Sequence, residues 1–117
     1  MENLTLASFK TKVFDFEVNK EWKFAGGKPC IVDFYADWCG PCKTLSPVLA
    51  ELAEKYAGRL DVYKVNTGEE ELLSSAFGIQ SIPTLLFIPL AGKPQAAHGA
   101  LPKESLEKII SDVLGVK

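Results

Sequence analysis

The stretch that decides the fold is "CIVDFYADWCGPCK", Cys30–Lys43. Its opening segment, Cys30–Ala36, is β-branched and aromatic, and apolar on both parities except at Asp33. A central strand covered on both faces reads this way. Beyond it Leu45, Val48, Leu49, Leu52, Ala53 and Tyr56 recur at helical spacing. A helix therefore follows, with Pro47 to kink it and Gly58 to stop it. Cys39 and Cys42 fall at the junction between strand and helix.

That position has chemical consequences. A helix N-terminus carries unsatisfied N–H groups and the positive end of the macrodipole, which together stabilise a thiolate. Cysteines so placed, including Cys-X-X-Cys pairs, have pKa values lowered from about 8.5 to roughly 3.5–7.5. Cys39 is then the better nucleophile. Cys42, one turn deeper, can attack a mixed disulfide formed on Cys39. Gly40 lets the turn pass close to a partner, and Pro41 lacks an N–H where a helix start has no use for one. Two other readings compete with the redox couple: a metal half-site and an inert pair. One C-x-x-C supplies only half the ligands of a closed zinc site. The other obvious candidates are Cys30 and His98. The strand separates Cys30 from Cys39 by on the order of 20 Å, too far for a shared metal or for a disulfide, which needs Cα atoms within about 7 Å. The spacing favours redox and no metal.

Working outward, "LTL" (Leu4–Leu6) reads as a short edge strand and "SFKTKVF" as a short helix with Ser8 as its cap type. Val18–Pro29 reads as a loop broken by Gly26, Gly27 and Pro29. "LDVYKV" (Leu60–Val65) alternates as a strand. "EEELLSSAF" (Glu69–Phe77) reads as a short helix stopped by Gly78, with Glu69–Glu71 as its solvated start. "TLLFI" (Thr84–Ile88) is a second buried strand, and "GKPQAAH" a turn with an edge strand. A last helix runs from about Pro102 to Leu114, its apolar stripe formed by Leu106, Ile109, Ile110, Val113 and Leu114. The order β-α-β-α-β-α-β-β-α predicts a mixed sheet flanked by helices on both faces.

The chain's 117 residues fit one domain, and 47% hydrophobic with 24% charged residues is globular composition. A net charge of −2 leaves no electrostatic footprint for nucleic acid. No run reaches the roughly 18 apolar residues of a membrane span. "MENLTLASFKTK" has no basic flank followed by an apolar core, which argues against a signal peptide. Three cysteines, an odd number, do not suggest a framework of paired structural disulfides.

"YADWCGPCK" (Tyr35–Lys43), Pro47 in the helix, "KVN" (Lys64–Asn66), "SIPT" (Ser81–Thr84) and "HGAL" (His98–Leu101) together resemble the thioredoxin family in order and spacing. The resemblance covers about Cys30 to the C-terminus. It implies one domain over 1–117, with a variable N-terminal β/α and loop portion (1–29) and a core (30–117). The implied fold is a central mixed five-stranded sheet flanked by four helices. The implied activity is protein dithiol–disulfide exchange, in which Cys39 is the exposed attacking sulfur and Cys42 the buried resolving one. Pro83 is implied to be a cis-proline facing the pair, with the backbone of Ile82 pairing with an extended substrate segment. Trp38, Gly40, Pro41, Ile82, Pro83 and Gly99 are implied to form a flat apolar docking patch.

Asp33 alternates with Ile31 and Tyr35, on the face that in the family lies beneath Cys42. A buried carboxylate resists ionising, and can take a proton from Cys42, through water, as that thiol attacks. Lys64 resembles the family's lysine partner to this carboxylate; the plainer reading is a satisfied structural Asp33–Lys64 pair. Implied partners are disulfide-containing proteins and a thioredoxin reductase, with no bound cofactor, no nucleic acid and no membrane. A cytoplasmic monomer is expected. The alternatives are an exported, specialised thiol–disulfide protein whose leader has been removed, and a binding module in which the cysteines are incidental.

Some features depart from the family. Gly68 stands where an acid is usual, the turn Ile88–Gly92 is about one residue longer, and Phe16–Gly27 is an extended segment. Cys30 reads as an inert strand cysteine, His98 as a surface residue beside the patch, and Trp22 as a packing residue over the sheet edge.

Overall fold

A computed structural model describes residues 1–117. Its elements are β1 (Glu2–Asn3), α1 (Leu6–Lys12), β2 (Cys30–Tyr35), α2 (Gly40–Lys55), β3 (Asp61–Asn66), α3 (Glu71–Ala76), β4 (Thr84–Ile88), β5 (Gln95–His98) and α4 (Lys103–Asp112). This is the order expected from the apolar periodicities. The strands form one sheet ordered β1-β3-β2-β4-β5. β1, β3 and β2 run parallel, β4 runs antiparallel to β2, and β5 runs antiparallel to β4. The chain thus folds as a five-stranded mixed sheet with four helices, the thioredoxin fold.

The sheet centre explains the apolar run. β2 is hydrogen-bonded to β3 on one side and β4 on the other, and successive side chains point to opposite faces. Ile31 joins Leu85 and Phe87 under Leu45, Leu49 and Leu52 of α2 and Leu106 and Ile110 of α4. Val32 and Phe34 join Leu86 and Ile88 under Phe9 of α1 and Leu73 of α3. Both parities are buried because both faces carry helices.

The N-terminus differs from expectation. The strand ends at Asn3 rather than spanning Leu4–Leu6, although Leu4 N–H still donates to the Lys64 carbonyl at 2.8 Å. The cause is a capping box. Thr5 Oγ1 accepts from Ser8 N–H (3.2 Å) while Ser8 Oγ accepts from Thr5 N–H (2.8 Å), so Leu6 is already helical. Ser8 is therefore the reciprocal member of the box and Thr5 the cap. Of the Glu69–Glu71 run, Glu69 and Glu71 are exposed as expected, but Glu70 is not free: its Oε1 accepts the Leu6 N–H at 2.9 Å, joining α3 to α1.

The segment between α1 and β2 closes the second core. Phe16 meets Phe9 and Phe77, and Trp22 is half-buried with its ring 4.6 Å from that of Phe14, a packing role as expected. Cys30 is fully buried and burial pushes its thiol up to about 12, which makes it inert. No helix is long and apolar enough to cross a membrane.

Candidate active site

The site lies where β2 gives way to α2. Cys39 is the N-cap of α2 in extended conformation, and Pro41 occupies its first turn. Cys39 and Cys42 form a disulfide with Cα atoms 5.3 Å apart. The Cys42 N–H donates to Cys39 Sγ at 3.2 Å, which occupies one of the helix's orphan donors.

Cys39 is less open than its expected role suggests. It is 5% exposed against 3% for Cys42. In the closed disulfide the two sulfurs cover one another, and both pack with Ala36, Tyr35 and Ile82. Trp38, by contrast, is 80% exposed.

The 81–83 loop comes up beside the pair. The Ile82–Pro83 bond is cis, as the resemblance implied. Pro83 is buried, and its carbonyl accepts from Gly99 N–H at 2.8 Å, where Gly99 has φ +90°. A shallow hollow of about 160 Å³ is lined by Trp38, Thr67, Gln80, Ser81 and Ile82, among others. Of the expected patch, Trp38 and Ile82 thus line one hollow, and Gly99 is tied to Pro83. Gly40 and Pro41 are exposed at the helix start. Gly68 N–H donates to Asn66 Oδ1 (2.9 Å), and a Cβ there would sit tightly, 3.3 Å from that oxygen.

Asp33 is fully buried, on the face of β2 that α2 covers, and neither carboxylate oxygen has a hydrogen-bond partner. Burial raises its pKa from an ordinary 3.8 to about 6, against the opposing pull of the Lys64 charge. The plainer reading of a satisfied Asp33–Lys64 pair does not hold. Lys64 is the register partner of Asp33, but its Nζ donates to Ser46 Oγ at 3.2 Å and lies 4.2 Å from the centroid of the Tyr35 ring. Tyr35, Cys42, Ser46 and Lys64 line part of a hollow of about 170 Å³ that opens to solvent beside Cys42.

Ser46 and Tyr35 hold Lys64, a role the sequence motifs do not assign to them. Ser46 carried a usable signal, since it follows Cys42 at i+4 and so shares its helix face. No group of three or more His, Cys, Asp or Glu side chains converges to hold a metal ion.

Comparison with known proteins gives one consistent answer. The family model described as Thioredoxin matches residues 5–112. A thioredoxin of Borreliella burgdorferi is 51% identical over 113 residues, 97% of each chain. Thioredoxin 1 of a Nostoc species is 39% identical over 107 residues, 92% of this chain and 91% of that one. The crystal structure of chloroplastic thioredoxin z superposes with a TM-score of 0.81 at 28% identity, covering 97% of this chain and 93% of the other.

Proposed function

The chain belongs to the thioredoxin family and is a protein dithiol–disulfide oxidoreductase, and within that activity we propose a division of labour among its residues. Cys39 thiolate attacks one sulfur of a substrate disulfide. A Cys39–substrate bond forms, the substrate S–S bond breaks, and the first substrate sulfur leaves as a thiolate that solvent protonates. Cys42 then loses its proton and attacks Cys39 Sγ. The Cys39–Cys42 bond forms, the mixed disulfide breaks, and the second substrate thiol is released. Two electrons have moved from the cysteine pair to the substrate. The redox group is the pair itself, so no separate cofactor takes part.

The observation that carries this assignment is Cys39 at the cap of α2 with its sulfur against the Cys42 N–H. That environment favours a thiolate on Cys39 in the reduced protein. Asp33 serves as the proton acceptor for Cys42. Its support is complete burial, two unpartnered oxygens, and a position on the α2 face. Lys64 tunes that carboxyl by charge alone, because its hydrogen bond goes to Ser46. Trp38, Ile82, Pro83 and Gly99, with Gly40 and Pro41 at the helix start, form the docking surface for an extended substrate segment. Ile82 contributes its backbone.

Substrates in this reading are proteins with accessible disulfides. The electron donor is an external reductase of the thioredoxin reductase type, and the setting is cytoplasmic, with the whole chain acting as one monomeric domain. The Gly-Pro dipeptide between the cysteines supports a reductant rather than an oxidant. A Cys42→Ser variant tests the scheme directly. It is expected to accumulate a mixed disulfide on Cys39 with insulin, seen as a mass adduct that dithiothreitol removes. An adduct that survives in Cys39→Ser but is missing from Cys42→Ser would reverse the two roles.

A further inference from the structure

One side chain beside the docking surface has its neutral tautomer dictated by its neighbours. Thr84 is 2% exposed, and its Oγ1 lies 2.6 Å from the Ser81 carbonyl oxygen. A carbonyl oxygen only accepts, so the single hydroxyl hydrogen of Thr84 is committed to Ser81. The same Oγ1 lies 3.1 Å from His98 Nδ1. With its hydrogen already used, Thr84 can only accept there. His98 Nδ1 must therefore carry the hydrogen, and in the neutral ring Nε2 is bare.

The ring is also held mechanically. Thr84 and His98 are register partners on β4 and β5, and the next residue, Gly99, is bonded to the Pro83 carbonyl at 2.8 Å. Thr84 is β-branched and stiff at χ1. His98 is exposed, and no intramolecular hydrogen bond engages Nε2. The chain of bonds from His98 ends at Ser81, which lines the hollow with Ile82 and Trp38. A fixed, unpaired acceptor thus stands at solvent one residue from Gly99.

We propose that His98 is a specificity-determining residue of the docking surface: Thr84 and Ser81 lock its ring as the Nδ1–H tautomer, and its Nε2 accepts a hydrogen bond from an N–H of the bound polypeptide beside Gly99. The inference rests on the docking surface proposed above. It concerns only which polypeptides that surface prefers, and leaves the sulfur chemistry to Cys39 and Cys42. A polypeptide that offers an N–H at this point gains a contact that a small disulfide lacks.

Two measurements test it. The ¹⁵N shifts of His98 in the neutral ring are expected to show a protonated Nδ1 and a bare Nε2. A His98→Asn variant keeps an N–H for Thr84 and places no acceptor at the Nε2 position, its Oδ1 lying one bond nearer the backbone. Its kcat/KM for insulin is expected to fall about two- to tenfold, the range for one neutral hydrogen bond. The fall should come through KM and exceed any change with Ellman's reagent, a small disulfide. An Nε2–H tautomer, wild-type kinetics with insulin, or an equal loss on both substrates would each overturn the proposal. Failure of the cysteine scheme would show separately, as the absence of a trapped adduct in Cys42→Ser.

Discussion

Lys64 stands beside Asp33 across the β2–β3 ladder, yet its ammonium turns away to Ser46 Oγ at 3.2 Å and to the face of Tyr35. The carboxylate is left buried with both oxygens unpartnered. The lysine's charge is near enough to oppose the effect of burial but does not cancel it, and the carboxyl titrates at about 6 instead of 3.8. A direct ion pair would hold the aspartate ionised and leave it a poor proton acceptor near neutrality.

This arrangement costs stability, and the sign can be worked out. Between pH 3.8 and about 6 the folded protein keeps a proton that the unfolded chain has released. Stability is therefore fully present below that window and falls as pH rises through it. Above it the loss is on the order of 3 kcal/mol. Asp33→Ala removes the charge and leaves a small cavity. The variant is expected to be more stable than the wild type by about 1–2 kcal/mol near pH 8, and less stable by about 1 kcal/mol near pH 4, where only the cavity cost remains. Urea unfolding at both pH values measures it, and a gain independent of pH would rule out the buried carboxylate as its source.

Two substitutions should move the Asp33 titration in opposite directions. Lys64→Met removes the one charge that lowers it, so the midpoint is expected to rise above about 6. Ser46→Ala removes the hydrogen bond that holds the ammonium off, leaving it free to approach the carboxylate, so the midpoint is expected to fall. The carboxyl ¹³C shift of Asp33 reports both. A Ser46→Ala midpoint equal to that of the wild type would show that Tyr35 alone holds the lysine.

α1 is tied down by two residues that look like ordinary surface positions. Thr5 caps it, and Glu70 reaches across from the start of α3 to accept the Leu6 N–H. The helix matters to the whole fold because Phe9, fully buried, fills the second core against Phe77. Thr5→Ala is expected to cost about 1 kcal/mol. Glu70→Ala is expected to cost about 1–3 kcal/mol, because it strands a partly buried donor. Both losses should appear in global urea unfolding. Losses confined to faster amide exchange within α1 would mean that the helix opens on its own.

What the sequence makes legible follows from the range of the interactions. The β2 run and the α2 stripe could be read because burial on both faces, or on one, leaves a local period in the chain. The cysteine pair was legible because its chemistry needs only a three-residue spacing at a helix start. β1 was misplaced because Leu4 and Leu6 alternate like a strand, while the Thr5–Ser8 box that converts the segment to helix depends on paired side-chain geometry. From sequence Glu70 reads as solvated because its partner, Leu6, lies 64 residues away. The family resemblance pairs Lys64 with Asp33, and the two are register partners on β3 and β2. The lysine's actual hydrogen-bond partner, Ser46, is on a helix that packs over the strand, and strand pairing carries no information about that.

The proposed proton acceptor can be tested apart from its effect on stability. Asp33→Asn keeps the shape of the side chain but cannot take a proton. The first attack by Cys39 needs no base beneath Cys42, so its rate is expected to be kept. The second step requires the Cys42 thiol to lose its proton as it attacks, and a positioned base supplies on the order of 10²-fold or more to such a step. In the wild type the step should therefore gain speed as pH rises through about 6, where Asp33 ionises. In Asp33→Asn that inflection should be absent and the mixed disulfide should persist. Rapid acid quench followed by mass analysis gives the lifetime of the Cys39 adduct in each protein. Equal lifetimes at neutral pH would remove Asp33 from the mechanism and leave solvent as the acceptor, reached through the hollow that Cys42 shares with Lys64.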